Sequence, residues 1–344
     1  MTAIGTIWDA LQRPPASWLL RFALAAGLIA LVAVFVDFSA AVRALGDADP
    51  LLFAAALGLA LGAWAVNSFK WWLLLRPLDP EPGPLRLFEW NLRGIFYGQL
   101  LPGMLAGEAV KGYRLYRQTG TAAPVFVSIG ADRLTGLVAL ALLGSLALVR
   151  SPDLRGDPLY IGAVVGLSLL VPAVLLALFT PPGSAWVRRL ERLPGLRSIA
   201  HQGADVVEEY EGRYVLLAMT LALSLAFQAV GAVTVYLLAR SIDLDVGIVD
   251  FLWVYAAVSL VTLLPIAFGG LGAREGAFIL LLGPLDVASE AAVTLGLLVM
   301  GMQLGTALLG GGLELKSLLW PDARPALPVA PGLALQSEGA KDVQ

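Results

Sequence analysis

The sequence predicts an all-α integral membrane protein, and three observations carry that prediction. Of its 344 residues, 58% are hydrophobic and only 14% are charged, more apolar surface than a soluble domain of this size can bury. The apolar runs are continuous rather than alternating, which favours helices over a β-barrel. Several runs reach about 20 residues, enough to cross roughly 30 Å of hydrocarbon. The longest polar stretch, from about Thr180 to Arg213, is too short to build a core of its own.

Six full crossings are expected in order. The run Trp18–Val36 is longer than a signal core and no small-residue cleavage pattern follows it, so it reads as the first helix. Pro50–Leu75, Pro124–Val149, Leu159–Phe179, Tyr214–Ala239 and Ala291–Leu319 follow at spanning length. Two further regions, Leu87–Tyr113 and Phe251–Gly283, are apolar but broken. The segment Arg188–Arg213 interleaves charge with Leu, Ile and Val and reads as an amphipathic surface helix. A membrane domain over 1–320 thus precedes a Pro- and Ala-rich tail, 321–344, expected to be disordered and cytoplasmic.

Charge sets the orientation. With the N terminus cytoplasmic, seventeen Lys and Arg fall in cytoplasmic segments, among them Lys70, Arg93, Lys111 and Arg114. Four fall outside: Arg43, Arg150, Arg155 and Arg240. Arg133 and Arg274 remain, both inside apolar runs. Both flanks of 87–113 are basic and both flanks of 251–283 lack positive charge. The two broken regions are therefore expected to be re-entrant from opposite sides, with both termini in the cytoplasm and the protein in the inner membrane. The alternative is eight transmembrane helices, each broken region supplying one.

Composition excludes several chemistries. There is no cysteine, hence no disulfide, thiolate metal site or thiol nucleophile. The single histidine, His201, reads as a solvated loop residue and is too little for a histidine metal site. No nucleotide-binding motif is present, and no cofactor or nucleic acid is expected. Trp71, Trp72 and Trp90 read as interface anchors.

The candidate site lies at the two breaks. The first reads "LLPGMLAGEAVKGYRLYR" and the second "LLPIAFGGLGAREGAF". In each a proline removes a backbone donor, glycines open the chain, and charges follow. The breaks are Pro102, Gly103 and Gly107, then Pro265, Gly269, Gly270 and Gly272. Broken backbone survives in lipid only when buried or facing a wet cavity, and paired interruptions point to a transporter's binding site. Shared "LLP" and opposite orientation suggest an inverted repeat. Intramembrane charge is costly, so Lys111, Arg133 and Arg274 are read as headgroup-binding cations. Glu108, Asp132 and Glu275 are read as their charge partners or proton carriers. Asp132 and Arg133, adjacent on a helix, point about 100° apart. Asp132 is expected to pair with Lys111 or Arg274, and Arg133 with Glu108 or Glu275, or to snorkel. The plainer alternative is that these charges only satisfy one another. Asn67, Gln228, Gln303 and Glu314 read as interhelical hydrogen-bonding residues, and the glycine run at 309–314 as close helix packing.

These residues resemble the lysyl-phosphatidylglycerol synthase transmembrane family, also called flippase-like or UPF0104. The resemblance rests on three motifs in order: "LLPGMLAGEAVKGYRLYR", "VSIGADRLTGLVAL" and "LPIAFGGLGAREGAF". Ala106 departs from the second glycine many members carry. The resemblance implies a flippase-like membrane protein that moves a lipid between leaflets. The lipid it implies is an anionic or aminoacylated phospholipid or a polyprenyl-phosphate glycolipid. Its best understood members join this domain to a soluble synthase, which these 344 residues do not contain, so no enzyme activity is expected. The rival reading is a membrane-embedded glycosyl- or acyltransferase with Glu108 or Asp132 as base. A third is a scaffold for envelope assembly.

Overall fold

The computed structural model describes residues 46, 48–78, 82–100, 106–120, 122–146, 158–181, 183–192, 197–262 and 273–319. The expected first crossing, the tail, and Pro102, Gly103, Pro265, Gly269, Gly270 and Gly272 lie outside them. Every described element is a helix: α1 Pro50–Leu75, α2 Pro84–Leu100, α3 Ala106–Thr119, α4 Ala123–Ser145, α5 Pro158–Phe179, α6 Gly183–Arg188, α7 Arg197–Glu208, α8 Tyr214–Arg240, α9 Ile248–Thr262, α10 Ala273–Leu282 and α11 Ser289–Leu319, with short 3₁₀ turns between some of them. Among the described residues, α1, α4, α8 and α11 are long and apolar enough to cross a membrane. A fifth crossing results if α5 and the α6 segment, bent by 98°, count as one.

α1 shows how the sequence places charge inside. Asp49 caps it, accepting from the Leu51 and Leu52 amides at 2.8 and 3.1 Å, with Pro50 at the first helical position. Its buried side chains include Ala56, Ala60, Ala63, Asn67, Lys70 and Leu74, a three-to-four residue spacing that marks one face. Small residues form the start of that seam and let α8 pack along it. The same periodicity turns Asn67 and Lys70 inward. Lys70, which the charge count groups with the cytoplasmic segments, is a buried helix residue.

Trp71 and Trp90 also depart from the interface-anchor reading. Trp71 is 1% exposed, and both rings pack with Leu75, Leu87, Leu115 and Val125 where α1, α2, α3 and α4 meet. A second core joins α1, α8, α9, α10 and α11 around Phe251, Trp253, Phe278 and Leu295.

α2 and α3 form an antiparallel hairpin. Asn91 meets Lys111 and Gly94 meets Gly107, so contacts run backward along α2 as they run forward along α3. The approach is close: a Cβ on Gly107 would sit 2.5 Å from the Gly94 carbonyl oxygen. Glycine is required at that crossing.

α7 is amphipathic as its sequence suggests, burying Ala200, Ala204 and Val207 and exposing His201, Asp205 and Glu208. His201 is thus exposed on a helix, not in a loop, beside Glu191 at 3.2 Å. Arg188 on α6 reaches across to Asp205 at 2.9 Å and Glu208 at 3.0 Å. Just beyond α7, Tyr210 is buried, stacks on Phe179, and donates its hydroxyl to the Leu74 carbonyl at 2.6 Å. That carbonyl lies in the last turn of α1, where intrahelical donors run out. Burial pushes the Tyr210 phenol above its ordinary pKa, so it stays a donor. Tyr210→Phe is expected to cost about 1 kcal/mol, the net worth of one such bond, read as a lowered melting temperature in detergent.

Candidate functional site

The site is built from charges that three helices, α1, α3 and α4, turn toward one another. Lys70 is 2% exposed. Its ammonium lies 3.0 Å from Asp132 Oδ1, 3.0 Å from Ser224 Oγ and 3.3 Å from the Asp132 carbonyl oxygen. An ammonium has three protons, and three acceptors from α4 and α8 surround this one. Lys70 is a cross-link among α1, α4 and α8.

Lys111, buried on α3, has a different setting. Its ammonium meets Glu108 Oε2 at 2.8 Å, donates to Asn91 Oδ1 at 3.1 Å, and lies 5.0 Å from the centre of the Trp71 ring. Asn91 donates to Ser68 Oγ at 2.7 Å, and Ser68 donates to the Trp64 carbonyl at 2.7 Å. This chain anchors the hairpin to α1. Trp71 in turn donates to Ser128 Oγ at 3.3 Å, fixing the ring beside the ammonium. The other Glu108 oxygen accepts from Arg133 on α4. Glu108 therefore bridges two cations from different helices.

Asp132 and Arg133 diverge, as adjacent helical residues must. Arg133 takes Glu108, one of its two expected partners. Asp132 takes Lys70, not Lys111 or Arg274. Grouping Lys70 with the cytoplasmic cations hides that pairing. The Arg133 side chain is 48% exposed while Glu108 and Lys111 are mostly covered. Together, Lys70, Lys111 and Arg133 set three cations against the carboxylates Asp132 and Glu108.

Arg274 and Glu275 open α10. Arg274 is 5% exposed and donates to Gln303 on α11 at 2.9 Å. Glu275 packs on Gly296, where a Cβ would stand 2.9 Å from its Cγ. Farther along α11, Glu314 lies 2.6 Å from Arg114 and 3.5 Å from Arg93. Gln303 and Glu314 are separated by about 16 Å of helix rise, so α11 links the Arg274 position to the hairpin. The charge count groups Arg93 and Arg114 with the cytoplasmic segments and does not foresee this cluster. The signal was the i, i+4 spacing of Arg93 and Tyr97, both of which reach Glu314.

Of the remaining polar candidates, Gln228 accepts from the Tyr255 hydroxyl at 3.2 Å and donates to the Gly136 carbonyl at 3.5 Å, joining α4, α8 and α9. The 309–314 glycine run is close packing: Cβ atoms on Gly310 and Gly311 would meet Leu92 backbone and the Phe96 ring.

The family described as "Lysylphosphatidylglycerol synthase TM region" matches residues 18–311. The chain is similar to the protein named Glycosyltransferase AglD of Haloferax volcanii, at 26% identity over 92% of this chain and 57% of that protein. It thus spans little more than half the length of that relative. It is also similar to two UPF0104 membrane proteins of Methanothermobacter thermautotrophicus. One is 24% identical over 84% of this chain and 88% of its own length, the other 24% over 69% and 76%. No solved structure matches the chain significantly. The family match covers most of the chain, and the chain belongs to the lysylphosphatidylglycerol synthase transmembrane-region family.

Proposed function

We propose that the protein moves the headgroup of an anionic lipid between the leaflets of the cytoplasmic membrane. The observation that carries this reading is the Glu108 bridge: one carboxylate shared by buried Lys111 and half-exposed Arg133, in a cluster with one more cation than carboxylates. A lipid phosphate offers the same pair of charged oxygens as that carboxylate and competes for the same donors. Arginine takes phosphate through a planar fork, and Arg133 is the member within reach of lipid. Acyl chains stay in the hydrocarbon while the headgroup passes along the cations. The α2–α3 hairpin supports a segment that enters and leaves on one side, α9 and α10 being its counterpart from the other, alongside six full crossings with both termini cytoplasmic. Nothing in the sequence resembles a nucleotide site, so transfer is downhill or ion-coupled, with Glu108 or Glu275 as proton carriers.

A second reading is favoured by the likeness to a protein named a glycosyltransferase. There the lipid is a polyprenyl-phosphate carrying sugar, and the same cations hold its phosphate. The test is scrambling of labelled phosphatidylglycerol and labelled polyprenyl phosphate in liposomes. Arg133→Gln and Lys111→Gln are each expected to slow scrambling at least tenfold at unchanged folding, and Arg274→Ala to do likewise. Equal rates in wild type, variants and empty liposomes reject transport. Glycolipid product formed in detergent from a sugar donor assigns the second reading.

A further inference from the structure

The hairpin carries a second group of donors, turned toward α11. Glu314 Oε2 takes Arg114 Nη2 at 2.6 Å and lies 3.5 Å from Arg93 Nε. Its Oε1 accepts from the Tyr97 hydroxyl at 3.2 Å. Arg93 also donates to the Leu313 carbonyl at 3.2 Å and lies 3.7 Å from Glu89. The two guanidiniums and the phenol all belong to α2 and α3. The carboxylate they converge on belongs to α11. The hairpin thus supplies a cradle for a two-oxygen anion, and another element's side chain occupies it.

We propose that Arg93, Tyr97 and Arg114 form a second lipid-phosphate site, with Glu314 as a resident latch that the phosphate displaces. This rests on the lipid-headgroup reading above. Phosphate and carboxylate present similar charged oxygens, and arginine forks donate to either. Lys111 and Arg114 lie three residues apart on α3, about 4.5 Å of rise, on neighbouring sides of the helix. The two cationic groups are thus less than one helical turn apart on α3. Arg114 is the more open of the two arginines, its side chain 25% exposed against 11% for Arg93. Displacing Glu314 also removes the ionic tie between α11 and the hairpin. What then holds them is the Arg93 bond to the Leu313 carbonyl and the glycine seam, Gly310 on Leu92 and Gly311 on Phe96. Occupancy of the second site is coupled in this way to the α11–hairpin contact.

A latch and a simple staple differ in the sign of their effect on binding. The full chain in detergent is titrated with dioctanoyl phosphatidylglycerol and, separately, with inorganic phosphate. Glu314→Gln is expected to bind the lipid about tenfold more tightly than wild type, and adding Arg114→Gln is expected to abolish the gain. Unchanged or weaker lipid binding by folded Glu314→Gln overturns the proposal, as does a gain confined to inorganic phosphate. If Glu314→Gln does not fold, Glu314→Asp, which keeps the charge and withdraws it by one methylene, is expected to gain about threefold, and no gain overturns the latch. A flat Glu314 response with scrambling lost in Lys111→Gln removes the latch alone. No lipid binding by any variant, with scrambling unaffected in Lys111→Gln, removes the headgroup reading with it.

Discussion

Lys70→Met is expected to be among the most damaging single substitutions in the chain. It leaves the Asp132 carboxylate buried without the ammonium 3.0 Å away and removes the donor to Ser224 and the Asp132 carbonyl. Losing one partner of a buried pair costs about 3–5 kcal/mol, because the remaining charge has been taken out of water without compensation. The loss is read as a large drop in melting temperature or as failure to accumulate in the membrane. The double variant Lys70→Met with Asp132→Leu is expected to recover most of it, since apolar replacement of a buried pair is often neutral. A double variant as unstable as the single one contradicts this account of the pair. The double variant also separates two roles. If Asp132 serves only to hold Lys70, restored stability brings restored scrambling. If it sets the field around Arg133, stability returns and scrambling does not.

That pair also shows where the sequence was legible and where it was not. Spans were legible because hydropathy is additive along the chain: Pro50–Leu75 is a helix with those bounds, and α4, α8 and α11 begin or end within a few residues of the expected ones. The divergence of Asp132 and Arg133 was legible because it needs only the 100° turn per residue. The partner of Asp132 was not, because partnership is tertiary. Lys70, next to two tryptophans near a helix end, reads locally like an interfacial cation. Its burial follows from the face it shares with Ala56, Ala60, Ala63 and Asn67, a seam whose meaning depends on α8 packing against it. Trp71 was misread for the same reason. An amphipathic ring suits both an interface and a core with a hydroxyl to bond, and Ser128 decides the matter. The Glu314 cluster was hidden by distance in sequence, since Arg93 and Arg114 meet a carboxylate about two hundred residues away.

The glycines of α11 make the second large effect, and they divide sharply by position. A Cβ on Gly310 would stand 2.6 Å from the Leu92 carbonyl carbon and 3.1 Å from the Arg93 amide nitrogen. Those are backbone atoms inside α2 and cannot swing aside as a side chain tip can. Gly310→Ala must therefore push α11 off α2. Overpacking costs about 1–3 kcal/mol, and backbone opposition places this site at the upper end. The displacement acts one turn from Glu314, so it also loosens the hold of Arg93 and Arg114 on that carboxylate. Gly312→Ala is the matched control. Nothing lies within 4 Å of its Cβ, and removing glycine from a helix interior gains about 0.5–1 kcal/mol. Thermal unfolding in detergent is expected to move down several degrees for the first and slightly up for the second. Equal shifts would mean that α11 and α2 are far enough apart to admit a methyl group at Gly310. The α11–hairpin contact would then not be the element whose closure Glu314 controls.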